Sequence, residues 1–385
     1  MTSTDRSTWG PASPAVSGDL GVPLAAIGIF ATCYYIGYVL SNFFGGYFSD
    51  WFGGRQMLTI SGIVAGGLMI LFGETSSIPM GLVVQGAIGL FAGVDFAAGL
   101  KIIATWFPPE QRGRAMGIFM TATSLGTVIA NAIVPSLIQS SGWRASYHYF
   151  GIVTVVLGIL CWVFVRNGTQ KAQAAEHHRP QIRPVLRNRN LILLGLAGFG
   201  GLWGTYGFVT WSNTLMIKGH GIHPVDAGIV LVIFAGIAVF IKPITGYVTD
   251  KIGRGLKVPT AVILVVFSLA LVLFGSLTTY TQFLWVAPIL GIGAYAYAPL
   301  TAALTPALAG NALAGTAAGG VNAFWQLGSV IVPVVVGFAF QATGSFQTAF
   351  LVLAIGPLLG AAVMVFIREE EQPATNAQRS KKIAA

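Results

Sequence analysis

An all-α membrane protein, built as a two-half bundle of helices, is predicted by three properties of the sequence. Of the 385 residues, 55% are hydrophobic and 9% are charged, and the mean hydropathy is +0.75. A soluble domain carries about 25% charged residues, so this composition places the chain in a bilayer. Apolar runs of about 20 residues indicate helices, because strands of a membrane barrel are shorter and alternate in polarity. A polar motif that occurs twice divides the runs into two halves.

Eleven apolar spans follow one another along the chain, each long enough to cross a membrane as a helix. They cover residues 22–48, 56–74, 78–106, 113–139, 146–166, 191–216, 225–248, 257–277, 281–306, 313–341 and 346–368. The first five spans form a predicted N-terminal half at 22–166, and the last six form a C-terminal half at 191–368. A basic cytoplasmic linker at 167–190 is predicted to separate the halves.

The two ends of the chain are polar. Residues 1–21 are rich in Ser, Thr, Pro and Gly, and they lack the basic stretch and apolar core of a signal peptide. We therefore predict a polar N-terminal tail over these residues. Residues 369–385 are charged and are predicted to form a disordered cytoplasmic tail.

A turn-forming motif joins two spans in each half. The copies read Gly46-Tyr-Phe-Ser-Asp50-Trp-Phe-Gly53-Gly54-Arg55 and Gly246-Tyr-Val-Thr-Asp250-Lys-Ile-Gly253-Arg254. We call these segments the signature loops. The first glycine of each lets two helices approach closely, and the aspartate can accept hydrogen bonds from a helix N-terminus. The later glycine makes the turn, and the arginine anchors it on the cytoplasmic side.

The distribution of basic residues predicts the orientation. With the signature loops in the cytoplasm, sixteen lysines and arginines fall on that side and three, Arg6, Arg144 and Lys218, on the other. The prediction is a multi-pass protein of the cytoplasmic membrane with its N-terminus outside and its C-terminus inside. The net charge of +9 follows from this topology, so it does not indicate nucleic-acid binding.

The signature loops resemble those of the major facilitator superfamily, which join the second and third helices and the eighth and ninth. The run W-F-P-P-E-Q-R-G-R-A-M-G that starts at Trp106 resembles the loop after helix 4 in the anion:cation symporter branch. That branch usually has an arginine at the position of Gln85 and an acidic residue near Ala92, and both are uncharged here. The resemblance implies conformational gating by Gly46, Asp50, Gly53, Arg55, Gly246, Asp250, Gly253 and Arg254.

The resemblance also implies twelve helices, and we expect the first to be missing. Two full spans, 191–216 and 225–248, precede the second signature loop. Before the first loop there is one span, 22–48, and only the tail 1–21 stands where the other would be. We therefore expect eleven transmembrane helices and an open groove beside the span at 22–48, where faces such as Gly37 would meet lipid. A start codon chosen too far downstream would explain this pattern.

Asp95 is the predicted proton-coupling residue. It lies three residues beyond Ala92, on nearly the same helical face. A carboxylate in the middle of a membrane costs about 2.5–3.5 kcal/mol, so it usually lines an aqueous cavity or has a partner. The alternative is an aspartate that is paired structurally, for example with Lys101.

Lys242 is the predicted substrate-binding cation. It precedes Pro243, eight residues before Asp250, and is therefore about 12 Å deep by helix rise. The repeat maps it onto Asn42 of the first half. A lone lysine at this depth favours an anionic ligand, and the alternative is a structural ion pair. Further polar and aromatic side chains predicted to line the pocket are Tyr206, Tyr295, Asn322 and Gln326.

These features predict a secondary transporter that moves a small organic anion together with protons by alternating access. It is expected to be a monomer without a cofactor, and not an enzyme, because no catalytic constellation or nucleotide-binding motif occurs. One alternative is a drug or metabolite exporter of the same superfamily, although the span at 113–139 lacks a G-P-x-x-G-G run. A truncated inactive form or a transporter-like sensor is the other alternative.

Overall fold

The computed structural model describes residues 2–107, 109–166, 182–252, 255–309 and 314–368, and these residues form helices without any strand. The helices are α1 (Thr2–Asp19), α2 (Ile27–Phe52), α3 (Gly54–Gly73), α4 (Ile78–Trp106), α5 (Pro109–Phe164), α6 (Ile182–Arg187), α7 (Arg189–Thr214), α8 (Pro224–Ile252), α9 (Lys257–Ser276), α10 (Tyr280–Ala309), α11 (Ala314–Thr343) and α12 (Phe346–Val365).

Helix α5 consists of two limbs. Gly142 has φ 82° and ψ 166°, a non-helical conformation that favours glycine, and it interrupts the helix between 109–141 and 143–164. These limbs match the predicted spans 113–139 and 146–166. Each of the eleven predicted spans therefore coincides with a helix or with a limb of α5.

Length and composition confirm the membrane class. Among the described residues, nine helices are long and apolar enough to cross a membrane, and one of these is the stretch Ile118–Phe164, which includes both limbs of α5. In α2, Ile27–Ser41 is a shorter apolar helical stretch. The all-α membrane fold is thus confirmed.

The prediction of an N-terminal tail and a missing first helix is wrong. Thr2–Asp19 form α1, which is packed inside the bundle, with Trp9, Ala12 and Val16 each at most 6% exposed. Polar side chains of α1 also find partners in the protein; Ser7 Oγ, for example, lies 2.9 Å from Thr127 Oγ1 of α5. Because protein rather than lipid surrounds α1, its low hydropathy is compatible with a position in the bundle.

α1 takes the place of a first helix in the N-terminal half. Arg6 contacts Tyr206 of α7, and Ser13 lies 3.4 Å from Thr214, so α1 and α7 run parallel. The first turns of α1 therefore lie inside the bundle rather than at the end opposite the signature loops, where the tail was expected. The expected open groove is also absent at Gly37, since a Cβ there would come within 2.1 Å of the carbonyl oxygen of Gly86 in α4.

The two halves are α1–α5 and α7–α12, and they pack closely at the end of the bundle opposite the signature loops, which we call the far end. Thr32 Oγ1 of α2 donates a hydrogen bond of 2.8 Å to the Val330 carbonyl of α11. Asn213 Nδ2 lies 3.4 Å from Asn131 Oδ1 of α5. The bundle is therefore closed at the far end. Near the second signature loop, a Cβ at Gly246 would have no neighbour within 4 Å.

The predicted linker contributes one short helix. Helix α6 lies within 182–187, and its Val185 is 5% exposed in an apolar cluster of the C-terminal half. Asn188 caps α7, because its side-chain oxygen accepts hydrogen bonds from the backbone N–H groups of Asn190 and Leu191. The rest of the linker and the predicted tail 369–385 lie outside the described residues.

Replacing Gly89 with alanine is expected to destabilise the N-terminal half by about 1–3 kcal/mol. The added Cβ would lie 1.9 Å from the carbonyl oxygen of Tyr34, so α2 and α4 would have to separate. Gly67→Ala on α3 is the matched control, because its Cβ would have no neighbour within 4 Å. The melting temperatures of the two variants are measured by thermal unfolding of the purified protein in detergent. Equal melting temperatures for Gly89→Ala and Gly67→Ala would contradict the close packing of α2 and α4.

Candidate functional site

Arg6 lies near the beginning of α1 and faces the C-terminal half. Its Nη1 donates a hydrogen bond of 3.0 Å to the hydroxyl of Tyr206 on α7. Its guanidinium carbon lies 5.1 Å from the centroid of the Tyr206 ring and 6.0 Å from that of Tyr38 on α2. The negative faces of these rings attract the cation. Arg6 is thus held between the two halves by aromatic rings and a hydroxyl.

Lys242 of α8 reaches towards the N-terminal half in the same way. Its Nζ donates to Ser124 Oγ of α5 at 2.9 Å and lies 3.5 Å from Thr123 Oγ1. It also lies 5.0 Å from the centroid of the Tyr295 ring on α10. The predicted residues Lys242 and Tyr295 are therefore in contact with each other.

A cluster of tyrosines links the two cations. The rings of Tyr35 and Tyr206 are 5.1 Å apart, centroid to centroid, and connect α2 with α7. Arg6 is close enough to act electrostatically on Lys242 and on Tyr295. Of the predicted substrate-binding residues, the structure thus brings Tyr206, Tyr295 and Lys242 together around Arg6.

Hydroxyls and ring faces, rather than a carboxylate, contact the two cations. Neither Arg6 nor Lys242 forms an ion pair with a carboxylate within the part of the chain that the structure describes. Their partners are hydroxyls and ring faces, which carry no full negative charge. Placing a cation inside a membrane protein is costly, and a partner of opposite charge offsets that cost. The arrangement can therefore hold an anion between the halves.

Asp5 is a carboxylate next to this cluster. It is 4% exposed, and its Oδ1 accepts a hydrogen bond of 2.9 Å from Thr154 Oγ1 on the second limb of α5. Its Oδ2 has no hydrogen-bond partner among the described residues. A buried carboxylate in this position can exist in a neutral, protonated form as well as a charged one.

The other predicted site residues lie elsewhere. Asp95 is half-buried on α4 and is engaged in interactions of its own. Asn322 is exposed on α11, and Gln326 is half-buried one turn later. Neither amide side chain forms a hydrogen bond with Arg6 or Lys242 among the described contacts. The side chain of Asn42 lies outside the described part of the structure.

The first signature loop makes a tight turn between α2 and α3. Gly53 has φ 88°, a conformation that favours glycine, and it precedes the first residue of α3. Arg55 Nε donates a hydrogen bond of 3.0 Å to the carbonyl oxygen of Trp162. The guanidinium carbon of Arg55 lies 4.3 Å from the centroid of the Trp162 ring. Arg55 therefore anchors the loop to the second limb of α5.

The second signature loop is described only in part. Gly246 lies within α8, whereas Gly253 and Arg254 are outside the described residues. The same holds for the side chains of Asp50 and Asp250. A gating role for the two loops stays a prediction.

Sequence reasoning missed Asp5 and Arg6, because both fall in the segment interpreted as a tail. Arg6 was counted among the basic residues on the non-cytoplasmic side, and its place between the halves corrects that assignment. A weak signal was present. Asp5, Trp9, Ala12 and Val16 are spaced by four, three and four residues, the period of one helical face, and all four are buried.

Comparisons with known proteins agree with this fold. The profile of the Major Facilitator Superfamily matches residues 1–333. The chain is 24% identical to a probable galactarate/D-glucarate transporter of Bacillus subtilis, over 96% of this chain and 91% of that protein. It is 24% identical to a nitrite extrusion protein of Bacillus subtilis, over 88% of this chain and 84% of that protein.

A solved structure has the same arrangement of helices. A bacterial homologue of the human lysosomal transporter Spinster, in an inward-facing and occupied conformation, superposes with a TM-score of 0.82. The sequences are 16% identical, and the match covers 97% of this chain and 96% of that one. At this identity the likeness establishes the fold alone.

Proposed function

The chain belongs to the Major Facilitator Superfamily, and from that premise we propose that it moves a small organic anion across the cytoplasmic membrane by alternating access. Membership makes it a multi-pass membrane transporter rather than an enzyme, with a small molecule as its substrate. One observation carries the choice of an anion. Arg6 and Lys242 approach each other from opposite halves, and their described partners are hydroxyls and tyrosine rings.

The placement of the two cations also supports alternating access. Arg6 belongs to α1, and Lys242 belongs to α8. An anion bound to both would connect the two halves, because Arg6 already contacts Tyr206 of α7 and Lys242 already contacts Ser124 of α5. Its contacts therefore depend on the relative position of the halves, and only such a difference lets a ligand shift a conformational equilibrium.

We further propose that protons drive the transport and that Asp5 carries the proton. Its burial, its Thr154 partner and its neighbour Arg6 support this role. A carboxylate beside a cationic site is neutral when it is protonated and charged when it releases the proton, so its state alters the field that the substrate anion meets. Asp95, the residue predicted from the sequence, is the second candidate for this role.

Uptake into proteoliposomes tests the proposed function. With an inward proton gradient, at least one of D-glucarate, D-glucuronate, D-gluconate and lactate is expected to accumulate above its external concentration, because proton entry drives the anion inward. A protonophore should abolish the accumulation. Neutral D-glucose is the comparison substrate. Accumulation of glucose alone, or of none of the four anions, would contradict the proposal.

Export of an anion is a second candidate, favoured by the similarity to a nitrite extrusion protein. The same cationic site would serve either direction. Loading the vesicles with nitrite and following its efflux distinguishes this candidate, since an exporter of nitrite should empty the vesicles faster than protein-free liposomes lose it.

A further inference from the structure

Three buried polar atoms beside Arg6 lack hydrogen-bond partners. They are Asp5 Oδ2, Trp9 Nε1 and Tyr34 Oη, and no partner for them exists among the described residues. The exposed fractions of the three residues are 4%, 6% and 4%. A buried polar group without a partner costs about 1–3 kcal/mol, so three at one place indicate a function rather than chance.

The three residues line one narrow cavity. Asp5 and Trp9 are four residues apart and therefore lie one above the other on the same face of α1. Tyr34 completes this wall from α2, and Arg6 also borders the cavity, next to the proposed anion site. The free space suits a single group about the size of a water molecule.

The chemistry of the three atoms determines which group fits. The indole N–H of Trp9 can only donate a hydrogen bond, an ionised Asp5 can only accept one, and the Tyr34 hydroxyl can do either. The occupant must therefore both accept and donate. A carboxylate has no proton to donate and would be repelled by Asp5. An ammonium cannot accept from Trp9, and a methyl group satisfies none of the three. A hydroxyl satisfies all of them.

We propose that this cavity binds a hydroxyl group of the transported anion, so that the substrates are hydroxycarboxylic acids. The carboxylate lies at Arg6 and Lys242, and the hydroxyl donates to Asp5 while it accepts from Trp9 and Tyr34. This inference rests on the proposed anion site and adds a requirement to it. The hydroxyl contact also places the substrate against Asp5, the proposed proton carrier.

Paired ligands test the inference. Calorimetry of the purified full chain would compare each hydroxy acid with its deoxy analogue: lactate with propionate, malate with succinate, and gluconate with hexanoate. For at least one pair the wild type is expected to bind the hydroxy acid about tenfold more tightly, the worth of one well-placed hydrogen bond. In Trp9→Phe and in Tyr34→Phe the ratio should fall towards one, because the hydroxy acid loses affinity and the analogue does not.

Tyr297→Phe is the matched control, because Tyr297 is equally buried but lies in the apolar cluster of the C-terminal half. It should keep the wild-type ratio. Two results would overturn the inference and leave the anion site intact: a ratio near one for every pair, which means that the cavity holds only water, or a wild-type ratio in both cavity variants. If no acid binds the wild type, the proposed anion site itself fails, and the hydroxyl subsite with it.

Discussion

Replacing Arg6 with glutamine is expected to weaken the binding of a carboxylate substrate by about 30-fold or more. Loss of one partner from a partly buried charge pair costs about 2–5 kcal/mol, and each 1.4 kcal/mol is a factor of ten in affinity. Lys242→Gln should have an effect of the same order, because its ammonium is the cation that the other half supplies. The measurements are calorimetric affinity and the KM for uptake into proteoliposomes.

Two further variants make this prediction specific. Lys218→Gln removes an exposed lysine at the far end and should leave the affinity unchanged. Arg6→Lys keeps the charge but loses the planar guanidinium that contacts two tyrosine rings, so it should restore only part of the affinity. An unchanged KM in both Arg6→Gln and Lys242→Gln, with normal protein levels, would remove the two residues from the substrate site.

Replacing Asp5 with asparagine is expected to abolish accumulation driven by a pH gradient while counterflow exchange continues. Asparagine retains an oxygen that can accept the hydrogen bond of Thr154, so the local packing should survive. It cannot bind and release a proton. Exchange of external for internal substrate moves no net proton, and it should therefore proceed. Labelled substrate measured in both assays, on the same vesicles, separates the two processes.

Asp95→Asn is the parallel variant. If Asp95 instead is the proton carrier, as the sequence predicted, Asp95→Asn will lose accumulation and Asp5→Asn will keep it. Loss in both variants would indicate that the two carboxylates act in one proton path. Persistence of gradient-driven accumulation in Asp5→Asn would contradict the role proposed for that residue.

Hydropathy predicted most of the fold, because most of the helices expose one side to lipid. The predicted span 257–277, for example, corresponds to α9 at Lys257–Ser276. Hydropathy failed to predict α1 because that helix is surrounded by protein. Its seven serines and threonines, together with Pro11 and Pro14, are typical of a loop. Composition reports which solvent a segment meets. It does not report that neighbouring helices can supply the hydrogen bonds of a polar one.

The candidate site was predictable where a charged residue interrupts an apolar run. Lys242 was identified in this way, and Tyr295 proved to be its neighbour. Arg6 was not identified, because a cation in a polar segment has no contrast with its surroundings. For Asn322 the helical spacing gives a face of α11 but not what that face meets, and the substrate-binding role of this exposed residue stays a prediction.

The polarity of α1 has a consequence for biosynthesis. With Asp5 and Arg6 in its first two turns, each costing up to about 2.5–3.5 kcal/mol in lipid, α1 cannot stay in the bilayer on its own. Its partners are α5 and α7, which the ribosome makes later. Because α1 is translated before α5 and α7, it can pack into the bundle only after they have inserted. Until then it must wait at the membrane surface or inside the insertion machinery, so assembly of the N-terminal half depends on the arrival of the C-terminal one.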